Sequence, residues 1–280
     1  MTDEIMRSST ELLGINPEVW SASFYPTLLE RMPFNGSVAR DYEGEIQALG
    51  STVNINTFPQ FDEAEEILEN EKADADSVTP TKTQLVINKQ VVKDYILTKK
   101  AMAQTLDASD SLSALANHAI MKKMQRIIIA EIVPNAAAPD HSIAYDSGTT
   151  LALADILEAK ELLDNADVEE MGRRMILGAA QYNDLFNITG FVSRDFIPAG
   201  SPLAAGAVTT PVLGFQVDWT SEVASVAYLF HPIFLQLAVQ QMPSVSVHDL
   251  GADGVRGTRV NMDVLFGVKQ ISNLRVVTIG

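Results

Sequence analysis

The sequence predicts an α+β fold, on three observations. One amphipathic stretch, from about 111 to 133, reads as a single long helix; two alternating strands, 51–58 and 85–97, bracket an acidic excursion; and the second half carries separated short strands. A doubly wound or barrel enzyme would instead alternate strands and helices regularly, and no short-period repeat runs through the chain.

Residues 1–41 mix Pro17, Pro26, Pro33 and Gly36 with Trp20, Phe24, Tyr25, Leu28, Leu29, Met32 and Phe34. Pro26 forbids a long helix there, so the segment reads as an arm whose large apolar side chains need a surface to lie on. From Thr52 to Thr57 polar and apolar residues alternate, the period of a half-buried strand, and 85–97 repeats the pattern. Between them, 59–83 is too long for a tight turn and carries Asp62, Glu63, Glu65, Glu66, Glu69, Glu71, Asp74 and Asp76 against Lys72 and Lys82.

The long helix has its start signal in Asp107, Ser109 or Asp110 and its stripe in Leu112, Leu115, Ala119, Ile120, Met124, Ile127, Ile128 and Ile132. Pro134 stops it, at a length of roughly 35 Å. After a loop with Asn135, Pro139, Asp140 and Gly148, a second helix is expected over 151–165, with Leu153, Ile156, Leu157 and Leu163 near one face. Strands follow at 174–177, 213–217, 223–230, 244–248, 259–268 and 273–279, with a short helix at 181–186. The apolar run 223–239 is broken by His231, Pro232 and Gln236 and falls short of the about 20 residues a membrane span needs, so it reads as a buried strand followed by a short buried helix opened by Pro232.

Composition narrows the function classes. With 20 Lys and Arg against 36 Asp and Glu, the net charge of −16 argues against gripping nucleic acid through its phosphates, while leaving open a protein that encloses it. There is no cysteine, hence no disulfide framework and no thiol chemistry, and a reducing compartment is the simplest expectation. The first ten residues lack a signal-peptide core, which predicts a chain that starts as a mature protein. Gly251, Gly254 and Gly257, spaced by three, only superficially resemble a phosphate-binding loop, and strand-like residues follow where a helix must open, so a hairpin turn is the better account. His118, His141, His231 and His248 are scattered, and Asp74 and Asp76 lack a complete calcium loop. No nucleophile elbow occurs. The residues therefore predict no catalytic, cofactor or metal site and no enzyme; they predict surfaces for contacts outside one subunit.

In this order the features resemble the major capsid proteins of tailed bacteriophages, the Hong Kong 97 fold. GSTVNI at 50–55 and LVINKQVVKDY at 85–95 look like the two strands of that family's extended loop and their continuation, and 104–133 looks like its spine helix. RRMILG at 173–178 with YNDL at 182–185 is similar to the opening of the axial domain, PVLGFQV at 211–217 to a strand around a Gly-Phe pair, and FGVK at 266–269 with LRVVTI at 274–279 to the closing strands. The resemblance implies an N-terminal arm (1–49), an extended loop (50–84), a peripheral domain with the spine helix (85–139), an axial domain (140–243) and return strands completing the peripheral domain (244–280). It implies an icosahedral shell of pentamers and hexamers in the virion, assembled in the host cytoplasm with a scaffold and a portal. Such a shell is filled with double-stranded DNA held without sequence-specific contacts, and needs no cofactor and no membrane. The loop would reach over a neighbouring subunit, and the arm would shift during maturation. Two departures bear on this: the strand-forming part begins near Gly50 without a long scaffolding extension, which points to a separate scaffold or a removed one, and Lys72 and Lys82 sit in a loop with no fixed alignment to a crosslinking lysine; no covalent crosslink is expected.

The contact residues this predicts are Trp20 and Phe24 of the arm, Phe61, Asp62, Glu65, Glu66 and Glu69 of the excursion, and Lys99, Lys100, Lys122, Lys123 and Arg126 as the basic partners on a neighbour. Exposed ion pairs contribute only about 0–1 kcal/mol each, so their gain is register and assembly rate. Two other readings compete: an encapsulin-like cargo compartment of the same fold, and a soluble hydrolase whose site is assembled from distant residues.

Overall fold

The computed structural model describes residues 29–46, 51–59, 61, 64, 66, 72, 78–99, 109–146, 148, 150–188, 208, 211–250 and 256–280. Two helical turns, α1 (Phe34–Ser37) and α2 (Glu43–Ile46), precede strands β1 (Thr52–Thr57), β2 (Thr81–Val86) and β3 (Lys89–Thr98). The long helix α3 (Ser109–Glu131), β4 (Ser142–Ile143), α4 (Leu153–Asn165), β5 (Arg174–Gly178) and α5 (Ala179–Asp184) come next. Strands β6 (Gln216–Thr220), β7 (Ala227–Phe230), β8 (Leu235–Asp249), β9 (Gly257–Gln270) and β10 (Val276–Ile279) complete the described elements. They form three sheets: the hairpin β1-β2, the antiparallel β3-β9-β8, and the mixed β4-β10-β7-β5-β6.

α3 owes its seat to residues spaced by four. Ala116, Ile120, Met124 and Ile128 are all buried and meet Met262, Val264, Phe266 and Val268, the alternate residues of β9. Burial of each of the three larger helix residues contributes about 1.5–3 kcal/mol. The helix ends at Glu131, two residues before the expected end, because Pro134 disfavours the α conformation at Val133. Gln270 takes over there: Val133 N–H donates to its Oε1 (2.7 Å) and its Nε2 donates to Val133 O (2.6 Å).

The five-stranded sheet is covered on both faces, which is why its central strands β5 and β7 carry the apolar runs Met175–Leu177 and Ala227–Phe230 rather than alternations. On β5, Ile176 joins Phe230 and Val276 in the core shared with α3, while Met175 and Leu177 join Leu229, Val277 and the α4 residues Ile156, Ala159 and Leu163 on the other side. The first core thus spans both larger sheets. Phe34, brought in by α1, lies in it between Phe230 (ring centroids 6.0 Å apart) and Tyr228 (5.5 Å).

Four expectations need correction. The short buried helix expected after Pro232 is only a 3₁₀ turn, Pro232–Phe234, and β8 starts at Leu235 and continues, across two register shifts between Val239 and Ser244, through the separate strand expected at 244–248. Leu235, Leu237 and Val239 face the α3 core while Ala238 faces the opposite side, so the run is a two-sided strand; a short apolar run does not reveal its period. Second, β8 therefore belongs with α3 and β3, not with an axial unit ending at 243. Third, the grouping of 244–280 with the peripheral sheet does not hold for β10, which pairs with β7 and β4 in the five-stranded sheet. The strand expected from 273 is confined to Val276–Ile279. Fourth, the strand expected at 213–217 begins at Gln216: Leu213 and Gly214 both have positive φ (49° and 87°), and Val212 and Phe215 exchange two 2.8 Å backbone bonds around them, which makes a tight turn. The expected hairpin between the last long strands is supported by Asp249 lying opposite Thr258, though Gly251 and Gly254 themselves lie outside the described residues.

Candidate assembly surface

The hairpin is long relative to what holds it. β1 and β2 pair from Thr52 opposite Val86 to Thr57 opposite Thr81, yet Ile55 and Leu85 are their only buried residues. These two, with Ile87, rest on Ala238 of β8, and Tyr42, Val53, Leu265 and Ile271 pack around them. An isolated two-stranded hairpin is marginal in water, so this small root carries it. Beyond the root the apolar surface is open: Phe58 is 69% and Phe61 70% exposed, and Glu66 is exposed as well. Two phenylalanines on a projecting segment are the mark of a surface that something else covers. Asp62, Glu65 and Glu69 lie outside the described residues, as do Trp20, Phe24 and Lys100.

The basic residues expected to receive a neighbour's acidic excursion fall into two groups. Lys122 and Arg126, with His118, stand one turn apart on α3, and the chain's own carboxylates engage them. Lys122 Nζ donates to Glu30 and lies 3.1 Å from Glu222 Oε1, and Arg126 donates to both oxygens of Glu222 (2.5 and 3.3 Å). His118 Nε2 lies 3.1 Å from Glu30 O and 3.8 Å from its carboxylate. Arg31 adds a second layer: its carbonyl accepts from Thr220 Oγ1 (2.8 Å), and its guanidinium sits 5.2 Å over Trp219 and 3.7 Å from Asp218. The result is a clasp that ties the arm to α3 and to the end of β6. Arg126, and after it Lys122, hold the Glu222 carboxyl below its usual range; Lys122 does the same to Glu30, and both bases are raised in turn. Lys122 and Arg126 thus already have carboxylate partners within their own chain. Lys123 is exposed, and Lys99 is exposed with its Nζ 3.8 Å from Asp249.

The stripe His118, Lys122, Arg126 is visible in the sequence as a four-residue spacing. Its partners are not, since Glu30 and Glu222 come from about ninety residues away on either side.

Three buried polar side chains hold backbone carbonyls. Arg173, fully buried, donates to Asp164 Oδ1 (2.6 Å), Glu169 O (2.9 Å) and Val168 O, holding the turn between α4 and β5 beside a cavity of about 550 Å³. His141 Nδ1 donates to Val276 O (3.1 Å) and His231 Nε2 to Met171 O (3.2 Å), with burial holding His231 below the usual imidazole range. Among the described residues no three His, Asp or Glu converge where a metal ion could sit, and no helix is long and apolar enough to cross a membrane.

The family model for phage capsid proteins matches residues 43–279, from α2 through β10. The chain belongs to the phage capsid protein family. Of the readings weighed from the sequence, the phage shell is the one this match supports, and the α+β fold is of the Hong Kong 97 type. Solved structures agree on the fold. The chain is similar to one from Mycobacterium phage Che8 (20% identity, 95% of this chain and 97% of that one, TM-score 0.77). It is similar also to a chain in the capsid of cyanophage P-SCSP1u (11% identity, 100% and 96%, TM-score 0.78) and to one in the capsid asymmetric unit of cyanophage Pam1 (14%, 100% and 98%, TM-score 0.75). No curated protein matches the sequence. This capsid protein is thus a structural shell subunit of a phage head, located in the virion and built into a multi-subunit shell.

Proposed function

We propose that this capsid protein assembles as pentamers and hexamers into an icosahedral shell around double-stranded DNA, in the host cytoplasm, with a separate scaffold protein and a portal, and that it has no enzymatic role. The observation that carries the reading is the hairpin: anchored at one end by a small root and exposing Phe58 and Phe61 at the other, it is unfinished within one chain. A second copy supplies the missing surface. Phe58, Phe61, Glu66 and the flanking Asp62, Glu65 and Glu69 lie across that copy, and Lys99, Lys100 and Lys123 receive the carboxylates, now that Lys122 and Arg126 are committed within their own subunit. Trp20 and Phe24 of the arm make further contacts, and the clasp ties the arm to the body at Glu30 and Arg31. The three-stranded sheet with α3 serves as the peripheral domain and the five-stranded sheet with α4 as the axial one. Packaged DNA is held by enclosure, consistent with the net charge of −16.

The test replaces both aromatics, Phe58→Asp with Phe61→Asp, in the full chain. Negative-stain microscopy and light scattering should show closed shells or rings of five and six for the unaltered protein and soluble subunits for the variant. Shells of normal yield from the variant would remove the hairpin from the contact.

A further inference from the structure

The hairpin leaves the three-stranded sheet over Gly267. β9 pairs Gly267 with Ala238 of β8, while on its other side β3 has just ended at Lys89 opposite Phe266, and the chain entering β3 crosses above. A Cβ placed on Gly267 would lie 2.5 Å from Val86 O, 2.9 Å from Val86 C and 3.0 Å from Ile87 Cα. Its φ lies outside the left-handed region, so any residue could adopt this backbone; what the position demands is space. The neighbour across the ladder, Ala238, is fully buried and is the only β8 residue in the hairpin's root cluster. The Val86–Ile87 peptide therefore lies on a seat made of a glycine and an alanine paired across the ladder.

Resting on the reading of the hairpin as a reach onto a second copy, we propose that Gly267 is its positioning residue: the missing side chain sets the angle at which β1 and β2 leave the body, and so where Phe58 and Phe61 meet the neighbour. The obstruction a side chain would create is backbone, which no trimming of neighbouring side chains relieves. Lifting the root by about 1 Å about a pivot two residues, roughly 7 Å, away moves the far end of this lever, six paired residues or about 20 Å long, by roughly 3 Å. Gly257 provides a control. A Cβ there would lie 2.9 Å from Leu97 O, a comparable crowding in the same sheet but away from the hairpin.

The chain has no cysteine, so two can be placed for spin labels, at Lys82→Cys on β2 and Asn117→Cys on α3, both exposed positions. Labelled full-length chains are diluted into unlabelled ones, and the intrachain distance is read by pulsed electron resonance. Gly267→Ala should shift that distance by about 3 Å and alter the size or yield of the shells, whereas Gly257→Ala should leave the distance unchanged. An unaltered distance in a folded Gly267→Ala protein overturns the proposal. Should that variant not fold, Ala238→Val, which thickens the same seat against side chains, is read in its place: a shift supports the proposal and an unchanged distance overturns it. A shifted distance with unaltered shells upholds the role of Gly267 and overturns instead the reading of the hairpin as the inter-subunit contact.

Discussion

The body of this capsid protein and its hairpin obey different accounts. In the body, both faces of the five-stranded sheet and the inner face of the three-stranded sheet are covered by the chain itself, and Phe34, Phe230 and Phe234 are fully buried. In the hairpin, twelve paired residues bury two side chains, and its phenylalanines stand in solvent. The body's apolar surface is covered within the chain, whereas most of the hairpin's is left open by it, as expected of a segment proposed to be covered on assembly. If the hairpin is the contact proposed above, stability and assembly rest on different residues and can be altered separately.

The sharpest test of that separation is Phe230→Ala. Phe230 is fully buried with ring centroids 6.0 Å from Phe34 and 4.8 Å from Phe234, so its truncation should cost about 3–5 kcal/mol in urea unfolding. Next, Ile55→Ala at the hairpin root removes one of two anchors. Its cost, about 2 kcal/mol, the low end for a buried isoleucine because the cluster around it is small, should be felt locally: amide exchange in β1 and β2 accelerates while β5 and β7 keep their protection. A uniform loss across the body would break the comparison.

Glu222→Gln should cost about 1 kcal/mol, a value reduced by the solvent around Arg126. The clasp also has a pH signature. Glu222 and Glu30 are held below their ordinary value of 4.5, so the stability they contribute is fully present above that value and is lost as pH falls through their lowered folded-state values. Unfolding midpoints below pH 4.5 should fall less steeply in Glu222→Gln, and protease cleavage near Arg31 should rise on acidification in the unaltered protein. The smallest stability effect belongs to Phe58→Asp with Phe61→Asp, expected within about 0.5 kcal/mol even though assembly is lost. A large destabilisation would mean that these rings already pack within the subunit.

The same division governs what the sequence disclosed. α3 was legible because its four-residue stripe ends at a proline, and the hairpin because its strands alternate around an acidic excursion. Leu235–Val239 was misread since a strand buried on both faces has no visible period, and β10 was assigned to the wrong sheet because pairing between 276–279 and 227–230 leaves no local trace. Lys122 and Arg126 stood out as a basic row, but whether a neighbour or the chain's own Glu30 and Glu222 neutralised them is a question of tertiary distance. Gly267 gave no turn signal, because its role is close approach within an otherwise regular strand.

The most direct test of the central claim compares hydrogen exchange in free subunits and assembled shells. The account predicts that Thr52–Thr57 and Thr81–Val86 gain the largest protection on assembly, with β5 and β7 nearly unchanged. Equal exchange of the hairpin in both states, with new protection confined to the body, would contradict it.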